Sequence, residues 1–221
     1  MRIVAHTCSN TEIVCALGRA GWLVGVDDHS DYPQDVVAAL PRIGPDLDID
    51  IERVLALKPD LVITSLTVPG HERCVERIRA AGLPCLVTAP TTLAEVADDI
   101  LRIGAALQAE DAAKRIADRF DERVESTPDW PPVPILVEWW PKPVIVPAAR
   151  SWVNEMLERA GGFNPFAGED GESTEISVAQ AQTAAPEAIV MSWCGVEERK
   201  YRPHVVARRE GWQDIPAVRN G

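Results

Sequence analysis

Four tryptophans stand directly after short apolar runs in the second half of the chain. They are Trp139 and Trp140 in Glu138-Trp139-Trp140, Trp152 in Arg150-Ser151-Trp152, and Trp193 in Ser192-Trp193-Cys194-Gly195. An indole is a broad apolar plate with one N–H donor, so it can lie on a flat ligand and still reach a polar arm of it. The first half offers imidazoles instead. His6, His29 and His71 each follow an apolar run, and imidazoles meeting at one place can hold zinc or haem iron. Solvated loop histidines are the plainer reading, because no H-x-H or H-E-x-x-H spacing supports a metal site. Enzyme signatures are absent: there is no phosphate loop, no dinucleotide fingerprint and no nucleophile elbow. The carboxylates are scattered, and no pair is placed for acid–base work.

These residues need elements to carry them. Ile3–Ala5, Leu23–Val26, Asp60–Thr64 and Cys85–Val87 read as strands, separated by helical patterns that include one from about Gly70 to Ala81. Strands alternating with helices predict βαβ units and an open parallel sheet. From Thr92 to about Val124 the apolar residues Leu93, Val96, Ile100, Ile103, Leu107, Ala112, Ile116 and Phe120 keep a helical period, which predicts one long spine helix. After the proline-rich Thr127-Pro128-Asp129-Trp130-Pro131-Pro132 the rhythm restarts. Val133–Val137, Val144–Val146 and Ala188–Met191 read as strands, Ser177–Ala185 and His204–Glu210 as helices, and Gly168–Thr174 as a polar loop. The fold class predicted is α/β in two lobes, each with a parallel-type central sheet flanked by helices. Residues 1–91 form the first lobe, 92–127 the spine and 128–221 a second lobe that looks incomplete at its carboxyl end.

Ligands bind beyond the carboxyl ends of parallel strands. Cys8, Ser9 and Asn10 follow the first strand, Asp31 and Tyr32 lie in the loop after the second, and Leu66 follows the third. Arg150 joins the four tryptophans in the second lobe.

Composition narrows the function classes. Lys and Arg total 22 against 34 Asp and Glu, a net charge of −12, which argues against a nucleic-acid groove. No apolar run approaches the ~20 residues that cross a bilayer. The five cysteines, at positions 8, 15, 74, 85 and 194, form no C-x-x-C pair and cannot all pair with one another. Free thiols suit a reducing compartment. The first strand begins at once, with no leader before it, which leaves a cytoplasmic location open.

Ser9-Asn10-Thr11-Glu12-Ile13-Val14, Leu23-Val24-Gly25-Val26, Ser30-Asp31-Tyr32-Pro33 and Lys58-Pro59-Asp60-Leu61-Val62-Ile63 together resemble the substrate-binding proteins of ABC importers for cobalamin, siderophores and haem. Trp152-Val153-Asn154-Glu155-Met156 with Gly161-Gly162, and Pro186-Glu187-Ala188-Ile189-Val190, continue the resemblance. Cys194-Gly195 with Glu198-Arg199, then Gly211-Trp212 and Pro216-Ala217-Val218-Arg219-Asn220-Gly221, look like the cobalamin-binding subgroup. The resemblance implies a two-lobed, monomeric binding protein without catalytic activity. A corrinoid, or a related tetrapyrrole or chelate, would sit in the cleft as transported ligand, with no covalently bound cofactor. Tyr32, Trp139, Trp140, Trp152 and Trp193 would supply the aromatic contacts. An ABC permease at the membrane would be the partner, which implies an extracytoplasmic location.

Docking in such proteins uses one acidic residue on each lobe. Glu72 matches the first position; the second reads Ala179, with Glu175 or Glu172 as substitutes. Cys8 stands where the family often has proline. Two other readings share the fold: a haem, ferric-siderophore or metal-ion binder using His6, His29, His71 or Tyr32, and an intracellular corrinoid-handling protein without a transporter.

Overall fold

The computed structural model describes residues 1–124, 131–193 and 201–220, with residues 120–124 described by backbone alone. The motifs at Cys194-Gly195 and Glu198-Arg199, Trp130 and most of the proline-rich break therefore lie outside the described residues. The chain divides into two compact units. Unit 1 comprises Met1–Pro90 with Ala94–Asp121, and unit 2 comprises Thr91–Leu93 with Glu122–Gly221.

Unit 1 is built on four parallel strands: β1 (Ile3–Ala5), β2 (Leu23–Val26), β3 (Leu61–Ser65) and β4 (Cys85–Thr88), in the order β2-β1-β3-β4. Successive side chains on a strand point to opposite faces, and here each face has its own core. Ile3, Ala5 and Ile63 pack with Val14, Leu17, Ile100 and Ile103 on one side. Val4 and Val62 pack with Ile43, Val54, Cys74 and Ile78 on the other. That double burial is why the strands read as unbroken apolar runs. The flanking helices are α1 (Cys8–Ala16), α2 (Gln34–Val37), α3 (Ile51–Ala56) and α4 (His71–Ala80). Asp50 caps α3 by accepting the Arg53 N–H at 3.1 Å.

The expected single spine helix is two helices, α5 (Leu93–Ala106) and α6 (Glu110–Val124). Gln108 takes a left-handed conformation at φ 51°, and the Ala109 N–H bonds back to the Gly104 carbonyl at 2.8 Å. Beyond the break, Ala113 of α6 packs so close to Gly104 that a Cβ there would lie 2.2 Å from the Ala113 methyl. Arg19 donates to the Leu107 carbonyl at 2.9 Å and also to the Gln108 carbonyl. The apolar period ran through the break because Ile100, Ile103, Leu107 and Ala113 all pack into the same core. Periodicity reports a shared buried face, not an unbroken axis.

Unit 2 holds a parallel three-stranded sheet, β10-β5-β8, and an antiparallel one, β6-β7-β9. The strands are β5 (Val133–Glu138), β6 (Trp140–Pro141), β7 (Val144–Pro147), β8 (Gly162–Phe163), β9 (Ser173–Ile176) and β10 (Ala188–Met191). Hence Val144–Val146, expected in a parallel-type sheet, runs antiparallel to both its neighbours. The polar segment 168–174 ends inside β9, whose Ile176 alone is buried and pairs with Val144. Helices α7 (Trp152–Arg159), α8 (Val178–Ala184), α9 (Pro203–Ala207) and α10 (Pro216–Arg219) complete the unit. Ser177 and Gln180 form a reciprocal capping box at the start of α8. Leu136, Val146, Phe166, Ile176, Trp193, Val206, Trp212 and Ile215 make the core. Among the described residues, no helix is long and apolar enough to cross a membrane.

Candidate functional site

At the carboxyl end of the unit 1 sheet the chain turns sharply. Thr7, at φ 85°, leads into α1, whose first residue is Cys8. Cys8 and Ser9 are exposed, and Ser9 shares a hydroxyl contact with Thr7 at 3.2 Å. Although Cys8 as a residue is exposed, loss of water around its sulfur, and then the Asp27 carboxylate, push the thiol up to about 11. It is therefore a protonated, weakly nucleophilic thiol at neutral pH. Asn10, expected at the ligand surface, is instead buried, and its amide donates to the His6 carbonyl at 2.9 Å. An amide one turn into α1 faces back toward β1, which is why it is lost to solvent.

Asp31 and Tyr32 follow β2 and are exposed, Tyr32 at 63%. Behind them Asp27 is fully buried; burial raises its pKa, and Ser30 donates to it. Leu66 is half-buried, with its N–H on the Thr88 carbonyl at 2.8 Å.

The three first-half histidines do come together, around a residue that sequence reading missed. Asp46 receives His29 Nε2 at 3.3 Å on one oxygen and lies 3.5 Å from His71 Nε2 on the other. Its backbone carbonyl accepts from His6 Nε2 at 2.7 Å and from Cys74 Sγ at 3.3 Å. A carbonyl can only accept, so His6 carries its proton on Nε2, and Nδ1 accepts from the Thr64 hydroxyl at 2.7 Å. Both His6 nitrogens are thereby committed to the protein. Burial, outweighing the Asp46 carbonyl, pushes its pKa down to about 4. His71 is wholly buried, its ring edge-on to His6 at 5.0 Å, and neither of its ring nitrogens makes a hydrogen bond. The His71 imidazole is also the main influence holding Asp46 below the usual carboxylate range. Among the described residues, no three His, Cys, Asp or Glu side chains are placed to hold a metal ion. No signal in the sequence links Asp46 to His6, forty residues earlier.

In unit 2 the tryptophans separate into two kinds. Trp139 is half-buried, with its backbone N–H on the Ile145 carbonyl at 2.8 Å. Trp140, on β6, is 42% exposed and donates its indole N–H to the Lys142 carbonyl at 3.0 Å. Trp152 is half-buried at the first position of α7, which Ser151 caps by accepting the Val153 N–H at 3.3 Å. Arg150 is exposed beside it. Trp193, expected at the ligand surface, is instead a core residue, only 8% exposed. It stacks on Tyr201 at 5.5 Å and donates its indole N–H to Glu138 at 2.9 Å. The reason is the carboxylate one residue before Trp139, which draws the indole inward.

Glu72 lies exposed in the first turn of α4, with its carboxylate accepting the Gly70 N–H at 2.8 Å. The backbone amides of Glu72 and Gly70 hold its pKa below the usual range. Glu175 is exposed on β9 opposite Ile145, Ala179 is exposed on α8, and Glu172 is partly buried.

With this geometry in hand, the chain can be set beside known proteins. The sequence pattern of the family described as "Periplasmic binding protein" matches residues 3–221. A vitamin B12-binding protein of Vibrio cholerae is 27% identical over 227 residues, covering 99% of this chain and 78% of the relative. Its counterpart in Yersinia pestis is 27% identical over 195 residues, covering 86% of this chain and 69% of the relative. Among solved structures, the Vibrio cholerae periplasmic vitamin B12-binding protein BtuF superposes with a TM-score of 0.77 at 27% identity, covering 99% of this chain and 84% of that one. The periplasmic heme-binding protein RhuT from Roseiflexus sp. RS-1 in apo form gives 0.80 at 27% identity, covering 99% and 86%.

Proposed function

We propose that this chain, which belongs to the periplasmic binding protein family, captures a corrinoid or closely related flat tetrapyrrole outside the cytoplasm and delivers it to an ABC permease. The observation that carries the reading is the solvent-accessible indole set of unit 2. Trp139 and Trp140 follow β5, and Trp152 opens α7, all three at least partly exposed although Trp is ordinarily among the more buried residues. A largely apolar macrocycle matches exposed rings of this kind, which can lie against its face. Within unit 1, Tyr32 and the Cys8–Ser9 turn are exposed at the ends of its own strands. Glu72 and Glu175, both exposed, are the acidic residues offered to a cationic permease surface.

Haem is the second reading, and Tyr32 favours it, since an exposed phenol can ligate iron. The relatives named for B12 and for heme stand at the same identity, so the two readings part only on ligand. Titration of the protein with cyanocobalamin and, separately, with haemin, followed by absorbance, decides between them. A saturable change with cyanocobalamin at micromolar ligand is expected. Trp152→Ala should weaken it by ~1–3 kcal/mol, the cost of removing a stacked aromatic anchor. Folded protein that saturates with neither compound would refute tetrapyrrole capture, and saturation with haemin alone, lost in Tyr32→Phe, would establish the second reading.

A further inference from the structure

Glu138 is the last residue of β5, wholly buried, and fully engaged. Arg209 Nη1 donates to its Oε2 at 2.6 Å and Nη2 to its Oε1 at 2.9 Å, a fork-on-fork pair. Trp193 Nε1 adds a third bond to Oε1, and the Glu138 backbone carbonyl accepts the Ser192 N–H at 2.9 Å. The Arg209 guanidinium lies over the Trp212 ring at 4.2 Å. Three separate stretches of chain are thus tied to one carboxylate at the end of the parallel sheet. A buried ion pair is poor value for stability, because well-packed apolar side chains hold a core at least as well. Its worth lies in geometry: a planar guanidinium with two fixed bonds sets the carboxylate, and so the backbone at residue 138, in one orientation. The next residue is Trp139, whose backbone N–H is in turn fixed on the Ile145 carbonyl.

We propose that Arg209 is a positioning residue that, through Glu138, sets the ring of Trp139 against the ligand. The assignment rests on the function proposed above and names the device that orients one of its contacts. Side chains that bind a rigid ligand must be held to within about half an ångström, and that precision comes from the shell behind them. Arg209, 71 residues from Glu138, is that shell here.

The test uses the full chain labelled with 5-fluorotryptophan, the Trp139 resonance being assigned by its loss in Trp139→Phe. Arg209→Lys keeps the charge but not the fork; Ile215→Val, in the same core, serves as the control for stability alone. With cyanocobalamin and haemin as probes, Arg209→Lys should shift or broaden the Trp139 signal in the free protein and weaken binding by about tenfold. Ile215→Val should lower Tm and leave both readouts alone. An unmoved Trp139 signal with wild-type affinity in Arg209→Lys overturns the proposal. An equal loss of affinity in Ile215→Val does so too, by making Arg209 merely structural. Should wild-type protein bind neither probe while Arg209→Lys still disturbs the Trp139 signal, tetrapyrrole capture fails and the control of Trp139 by Arg209 stands.

Discussion

His71 Nε2 lies 3.5 Å from Asp46 Oδ2, and the opposite oxygen of the same carboxylate receives His29. The Asp46 carboxylate thereby links the loop after β2 to the start of α4. Removing its charge takes away the anion that faces both imidazoles. Asp46→Asn should cost up to about 1 kcal/mol at pH 7, the scale of a partly exposed charge interaction. Because His71 and His29 depress the folded-state pKa of Asp46, the carboxylate stabilises above its unfolded value near 4 and loses that contribution as pH falls through the depressed value. Urea denaturation at pH 7 and again near pH 3 checks both statements. The difference between wild type and Asp46→Asn should shrink at the lower pH.

His6 acts in a higher pH window. Its folded pKa is lowered to about 4 from 6.5, so between those values the unfolded chain binds the proton that the folded chain refuses. Stability is full above about 6.5 and declines as pH falls toward 4, by at most about 3 kcal/mol. Asp27 works in the opposite sense: its raised pKa means that ionising it in the fold is unfavourable, and stability falls as pH rises through the carboxylate range. Comparing wild type with His6→Asn isolates the histidine. Unfolding free energy measured every half unit from pH 4 to 7 should show the slope in wild type and its absence in the variant.

Gly104 and Ala113 leave no room for growth where α5 meets α6. Gly104→Ala should destabilise unit 1 by about 1–3 kcal/mol through overpacking, against the small gain that Ala brings to a helix interior. A lower chemical-denaturation midpoint is the expected outcome, and an unchanged or higher one would mean that the helices separate freely.

The strands of unit 1 were legible because burial on both faces writes a run such as Leu61-Val62-Ile63 with no polar interruption. Helix α8 was legible for another reason: Ser177 and Gln180 stand at capping-box spacing. The break after Ala106 was not, since Gln108 carries no mark of a left-handed turn and Gly104 alone reads as a tolerated helical glycine. Among the candidate site residues, Trp140 and Tyr32 are exposed and Trp152 is half-buried. Trp193 is buried, because its place is decided by Glu138, a partner 55 residues away that no local pattern names. Asp46 escaped notice for the same reason: its role exists only once four distant segments have met.

Arg19, in the turn after α1, reaches the Leu107 and Gln108 carbonyls at the corner between α5 and α6. One guanidinium therefore ties the segment after α1 to the α5–α6 corner. Amide protons in both should exchange with solvent together, as one unit of local opening rather than two.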